Sequence, residues 1–194
     1  MELILVRHPE VAAPAGTCYG QADVPLRLPM RPAVAELLGP LLDAGPVCRV
    51  VSSPLQRAQR PAQALAEALG CPLSTDPRWM ELAFGEWEGR RWDLIPRHES
   101  DPWAEQPEHR APPGGETLLQ LRERVHAAMD ALLEARPALQ RTVVLCHAGP
   151  IRVARARALG APLREALAHP LPFGGSVVLR ARRAGSLWQW EAAA

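Results

Sequence analysis

Leu3-Ile4-Leu5-Val6-Arg7-His8 decides the reading of this chain. Four apolar residues run without a break and stop at a cation and an imidazole. An unbroken apolar run of this length suits a strand buried on both faces, the kind found in parallel sheets. The pattern recurs twice. Val47 to Val51 ends in Ser52-Ser53-Pro54, and Thr142 to Cys146 ends in His147-Ala148-Gly149-Pro150. A helix is predicted after each. The first takes Ser53 as N-cap and Pro54 as its first residue, with Leu55, Ala58, Ala62, Leu65 and Leu69 as an apolar stripe and Gly70 as its stop. The second carries Ile151, Val153, Ala154 and Leu159 and closes at Gly160. Leu118, Leu121, Val125, Met129 and Leu132 form one face of a further helix. Another helix is predicted over Ala33–Leu42, and Val177–Arg180 with Leu187–Trp190 read as a terminal hairpin around Ala184-Gly185. Strands alternating with helices imply an α/β fold: a three-layer sandwich with a mostly parallel central sheet and helices on both faces.

The chain has 194 residues, which at roughly 100–200 residues per domain makes one domain, 1–194. Its 47% apolar content fills a core of that size, and a net charge of +1 argues against an electrostatic nucleic-acid binder. No apolar run approaches the roughly 18 residues of a membrane span, and the N-terminus does not read as a signal peptide. A cytoplasmic protein is expected, a monomer or homodimer with a small-molecule partner. The four cysteines, Cys18, Cys48, Cys71 and Cys146, form no CxxC pair and read as reduced, mostly buried thiols. Every cationic side chain is Arg, and the chain contains no Lys, which excludes Schiff-base and P-loop chemistry. Pro96 to Gly115 is rich in Pro, acids and His; with the residues before it, about 92–115, it reads as a lid-like excursion.

The chemistry gathers at the strand ends. Arg7-His8, Ser52-Ser53 with Arg57 beyond, and His147 all fall where open α/β sheets bind ligands. Two of these ends run on toward helix N-termini, which favour anions. Two Arg and two His converging there make an anion pocket with no metal or other cofactor, and a neutral His is also a nucleophile.

Four segments together resemble the histidine phosphatase superfamily, also called phosphoglycerate mutase-like: Leu5-Val6-Arg7-His8, Ser52 to Ala58, Glu81 to Gly89, and Cys146 to Gly149. Arg7-His8-Pro9, Cys18 to Leu26, Trp87 to Trp92 and Gly114-Gly115-Glu116-Thr117 look like its bacterial α-ribazole phosphatase branch, which serves cobalamin synthesis. The resemblance implies a metal-independent phosphomonoesterase acting on α-ribazole 5′-phosphate. His8 would become phosphohistidine, with Arg7, Arg57 and His147 holding the phosphoryl oxygens. Glu81 would serve as general acid and then general base. Gln21 and Ala148 would join the substrate contacts. Trp103, or else Trp92, would stack on the benzimidazole. The chain departs from the family pattern at Pro9, Val11 and Pro14 and over Arg27–Ala33. A broad-specificity or sugar-phosphate phosphatase, a mutase and a non-catalytic phosphate-binding module stay open as alternatives.

Some residues are read as structural. Arg152, Arg155, Arg157 and Arg164 read as a solvated helix face, Arg180, Arg182 and Arg183 as edge-strand protection, and Trp188 and Trp190 as packing. His98, His109, His126 and His169 read as surface or lid residues.

Overall fold

In the computed structural model, residues 1–27, 29, 34–35, 37, 45–134, 141–184 and 187–192 are described. The opening run forms β1 (Glu2–Arg7) in the middle of the sheet. Pro9 follows, and without an N–H it cannot extend a ladder. β4 (Arg141–Cys146) lies parallel to β1, and β2 (Arg49–Ser52) lies parallel to β4 on its other side. β3 (Leu73–Thr75) adds a short parallel edge, while β5 (Ser176–Ala184) and β6 (Leu187–Ala192) continue the sheet beyond β1 as an antiparallel hairpin. The order is β3-β2-β4-β1-β5-β6.

Both faces of the interior strands are covered, which is why their sequences are continuously apolar rather than alternating. Leu3, Leu5, Val144 and Cys146 point to one face. There they meet Leu118, Leu121, Val125 and Met129 of α3 (Leu118–Glu134) and Ile151 and Ala154 of α4 (Ala148–Leu159). Ile4, Val6, Val143 and Leu145 point to the other, against Ala62, Leu65 and Ala66 of α1 (Gln56–Leu69) and against Val34 and Leu37. Each fully buried Leu contributes roughly 1.5–3 kcal/mol relative to exposure.

Several expectations need revision. α1 begins at Gln56, not Pro54, and has no side-chain cap, because its N-cap is Leu55; the Ser53 hydroxyl accepts from the Leu55 N–H and pairs with His147. Its stop at Gly70 (φ 64°) is as expected, as is that of α4 at Gly160 (φ 62°). Leu159 is exposed, and Cys48 is the one exposed thiol. The excursion is partly helical, with a 3-10 turn at Trp92–Leu94 and α2 (Arg97–Glu105). A further short helix, α5 (Leu163–Leu167), follows α4. Arg180, Arg182 and Arg183 lie on β5, an interior strand; the edges are β3 and β6. Arg180 and Arg182 pair instead with Glu2 and Glu191. Trp190 packs in the core, but Trp188, near the hairpin tip, is exposed. Arg152 and Arg157 are half-buried and donate to backbone carbonyls, of His169 and His126 respectively. The helix expected over Ala33–Leu42 lies largely outside the described residues; Val34, Ala35 and Leu37 are helical. The turn of the terminal hairpin, at Gly185, also lies outside them. Among the described residues no helix is long and apolar enough to cross a membrane.

Candidate active site

The parallel register sets Arg7 beside Cys146 and Ser52 beside Leu145, so the residues just past β1, β2 and β4 meet in one place. His8 and His147 lie there with ring centroids 5.1 Å apart, and both are buried. The His8 backbone N–H donates to the Cys146 carbonyl, and its Nδ1–H donates to the Pro9 carbonyl at 2.7 Å. That bond fixes the tautomer and leaves the Nε2 lone pair available for attack. Burial pushes the His8 pKa down to about 3; the Pro9 bond opposes this, while Arg57 and Arg7 add to it. The imidazole is therefore neutral near pH 7, the form in which it is a nucleophile.

Two guanidinium groups stand beside it. Arg57, from the first turn of α1, is 1% exposed. Its Nη1 and Nη2 donate to the carbonyls of Ala22 and Gly20. Burial lowers its pKa, and Glu81, Tyr19 and Asp23 counteract that. Arg7 donates from Nη1 to the Leu171 carbonyl at 2.5 Å. His147 pairs through Nε2 with Ser53 Oγ at 2.8 Å. Where the Ser53 hydroxyl, which also accepts from the Leu55 N–H, gives its own proton to Nε2, the imidazole proton sits on Nδ1. Burial, with Arg57 next, holds the His147 pKa well below the ordinary range.

Arg7 Nε, Arg57 Nε and His147 Nδ1 are all buried without a hydrogen-bond partner. An unsatisfied buried donor costs roughly 1–3 kcal/mol. Three such donors on the residues around one nucleophile form a receptor for an anion with several oxygens.

Glu81 approaches from the other side. Its Oε1 accepts from the Leu82 N–H at 2.9 Å and from the Gly149 N–H, in the first turn of α4, at 3.1 Å. A Cβ on Gly149 would overlap Glu81 Oε1, so glycine is what lets the helix N-terminus come this close. The Glu81 carbonyl accepts from Gln21 Nε2 and from Arg124 Nη2, both at 2.9 Å. Arg124 also donates to the carbonyls of Arg78 and Met80 and pairs with Glu116.

Of the residues read from the sequence, His8, Arg7, Arg57, His147 and Glu81 are brought together, with Ala148 at the start of α4. Gln21 contacts the Glu81 loop through its side-chain amide. Trp92 and Trp103 stack on each other at 5.8 Å and pack with Phe84 and Trp87 in an aromatic cluster next to the Glu81 loop. Trp92 is the more open of the two, at 38% exposure. Among the described residues no group of His, Cys, Asp and Glu could hold a metal ion.

Arg124 and Phe173 escaped the sequence reading, and Arg152 was read as part of a solvated helix face. Arg124 acts on Glu81 from 43 positions away, and no local pattern signals it. Arg152 donates from Nε to the His169 carbonyl. Burial lowers its pKa, with Glu81 and Arg7 acting on it in opposite senses, so both lie within its electrostatic reach. Phe173 lies 5.5 Å from His8 and packs against Arg7; the turn chemistry of Pro172-Phe173-Gly174-Gly175 could have drawn attention to it.

Residues 3–192 match the family model of the histidine phosphatase superfamily, branch 1. The chain belongs to that superfamily. As a histidine phosphatase superfamily member it is 32% identical over 168 residues to a probable phosphoglycerate mutase, GpmB, of Yersinia pestis (strain Pestoides F). That match covers 84% of this chain and 76% of the relative. The crystal structure of the α-ribazole phosphatase from Shigella flexneri superposes with a TM-score of 0.83 at 26% identity, over 99% of this chain and 95% of the other. A mycobacterial glucosyl-3-phosphoglycerate phosphatase in complex with VO3 gives 0.83 at 25% identity, over 99% and 96%. Histidine phosphatase neighbours of this kind imply a small-molecule phosphate substrate.

Proposed function

We propose that this histidine phosphatase is a metal-independent phosphomonoesterase working through a phosphohistidine at His8, with α-ribazole 5′-phosphate as its substrate in the cytoplasm. The observation that carries the reading is the neutral, tautomer-fixed His8 ringed by unpartnered donors on Arg7, Arg57 and His147. His8 Nε2 attacks phosphorus and the bond to the leaving oxygen breaks, while Glu81 gives that oxygen a proton. Glu81, now a carboxylate, takes a proton from water. The resulting hydroxide attacks phosphorus, the P–N bond breaks, and its electron pair returns to Nε2. Charge on the equatorial oxygens is met throughout by fixed donors, and no new group has to be recruited between the two steps. Residues 1–194 act as one domain, and 92–115 covers the cleft.

The substrate reading is supported by the Trp87 to Trp92 and Gly114 to Thr117 segments and by the likeness to the Shigella flexneri enzyme. Trp92, with its open face, is the better placed partner for the benzimidazole; Trp103 backs it. A phosphorylated carboxylic acid is the second reading. Arg152, within electrostatic reach of Glu81 and Arg7, favours it, as do the relatives named for phosphoglycerate chemistry.

The test is hydrolysis by EDTA-treated protein, with labelled substrate quenched in alkali to preserve phosphohistidine. Label is expected on His8 and absent in His8→Ala; label elsewhere refutes the mechanism. A panel of α-ribazole 5′-phosphate against 3-phosphoglycerate and sugar phosphates then decides between the two substrate readings.

A further inference from the structure

We propose that Phe173 is a specificity-determining residue, the wall against which the leaving group packs. The site then favours phosphomonoesters whose alcohol carries a flat apolar or aromatic face over those with small polar or charged alcohols. This rests on the phosphohistidine reading, because it takes the phosphoryl group to sit at His8 Nε2.

Phe173 lies beside the ring of the nucleophile. Its ring centroid is 5.5 Å from that of His8, and Arg7 Cζ sits 3.8 Å from the Phe173 centroid. The ring thus packs against two residues of the site, yet Phe173 is 37% exposed while His8 is 1% exposed. It stands at the boundary between the buried phosphoryl site and water, where a leaving group has to lie. In a near-attack geometry phosphorus is roughly 3 Å from the nucleophile. The first carbon of the alcohol, two bonds further on, then lies about 6 Å from Nε2, outside the buried pocket of His8 and within reach of a half-exposed neighbour such as Phe173.

The ring is held in place. Gly174 has φ 70°, the left-handed position that a type II turn gives to glycine, and the Gly175 N–H closes the turn onto the Pro172 carbonyl at 3.0 Å. The turn is fastened to β1 and its end. The Arg7 N–H donates to the Gly175 carbonyl, the Gly174 N–H to the His8 carbonyl, and Arg7 Nη1 to the Leu171 carbonyl. Moving the turn that carries the ring means breaking bonds to the same residues that carry the chemistry. A rigid aromatic wall contributes affinity at low ordering cost. Phe173 has no donor or acceptor of its own, so a hydroxyl or carboxylate pressed against it loses water without replacement.

The experiment compares benzyl phosphate with ethyl phosphate, whose alcohols are of similar acidity, on wild type, Phe173→Ala and Phe173→Leu, with inorganic phosphate as competitive inhibitor and His8→Ala as control. Wild type should prefer benzyl phosphate in kcat/KM. Phe173→Ala should reduce that preference about tenfold, mainly through KM, consistent with the loss of one aromatic contact. Phe173→Leu should recover part of it. Inhibition by inorganic phosphate, which has no leaving group, should change less than about threefold in both variants. Equal losses on both esters with matching weakening of phosphate inhibition would show that Phe173 only holds Arg7, and would overturn the proposal. No benzyl preference in wild type would also overturn it while leaving the phosphohistidine reading standing. Undiminished turnover by His8→Ala would instead remove that reading and this proposal with it.

Discussion

Gly149→Ala puts one methyl group where the Glu81 carboxylate lies. The added Cβ would overlap Glu81 Oε1 and come within 3.3 Å of Leu121 Cδ2. The carboxylate is the mobile end of a flexible side chain and the helix is anchored, so the carboxylate moves. It then gives up the Gly149 N–H, now at 3.1 Å from Oε1 and 3.3 Å from Oε2, and keeps only the Leu82 N–H. A hydrogen bond of this kind contributes about 0.5–1.5 kcal/mol net. Misplacing a reacting group by about 1 Å costs on the order of 10²-fold in rate. Stability responds differently, because alanine is favoured over glycine within a helix by up to about 1 kcal/mol, which offsets much of the lost bond. The expected result is a melting temperature near that of wild type with phosphorylation by an alkyl phosphate slowed about 10²-fold in single-turnover mixing. An activated aryl phosphate, which needs little protonation of its leaving group, should be slowed much less. Unchanged alkyl phosphorylation would refute the placement of Glu81 as the acid. A collapse in melting temperature matching the loss of rate would reduce Gly149 to a packing residue.

Two further perturbations probe the imidazoles. Ser53→Ala removes the partner of His147 Nε2 and should lower kcat by at least about tenfold, with a change in the nitrogen chemical shifts of His147 that reports loss of the fixed tautomer; unaltered shifts and kcat would sink the tautomer assignment. The second concerns acid. His8 is held at about 3 against an ordinary 6.5, chiefly by burial. Below pH 6.5 the unfolded chain binds a proton there that the folded chain refuses, so the stability is complete above pH 6.5 and is lost as pH falls toward 3. The slope is up to about 1.4 kcal/mol per pH unit for this one group. His8→Gln cannot titrate and should flatten the pH dependence of urea unfolding between pH 6.5 and 4.5, leaving the contributions of His147 and His126, which are also lowered; identical slopes in variant and wild type would count against the burial argument.

The interior of this fold was legible because β1, β2 and β4 are covered on both faces, so their sequences carry the simplest signal a strand can have. α3 was legible for the complementary reason: one stripe meets the core and the rest meets water. The misses have physical causes too. β3 is three residues long and partly exposed at the sheet edge, too short for periodicity to register. α2 has Pro102 inside it and no buried residue, so no apolar stripe marks it. Ser53 does hold the Leu55 N–H just ahead of α1, but its second partner, His147, is 94 positions away and invisible to a local reading. The same distance problem hid Arg124, which joins α3 to the loop of Glu81 through three carbonyls. Arg7, Arg57 and the two His were legible from their places at the strand ends, and Glu81 only through motif resemblance.

The N-terminus of α4 shows how the site avoids a conflict between its two anions. A helix N-terminus is a ready seat for phosphate, but here the Gly149 N–H is engaged by Glu81. In the proposed mechanism the phosphoryl group is left to side-chain donors, Arg7, Arg57 and His147, each also bonded to the protein through another of its nitrogens. Carboxylate and phosphate therefore draw on separate donors. In a two-step reaction that separation matters, because the phosphoryl group moves from the leaving oxygen to Nε2 and then to water, while the same carboxylate serves both steps. If the two anions shared the helix terminus, each transfer would pull the acid out of position for the next. With the carboxylate held by backbone amides and the phosphoryl group by anchored side chains, the charge that develops at each step meets groups already in place, and little reorganisation enters the barrier.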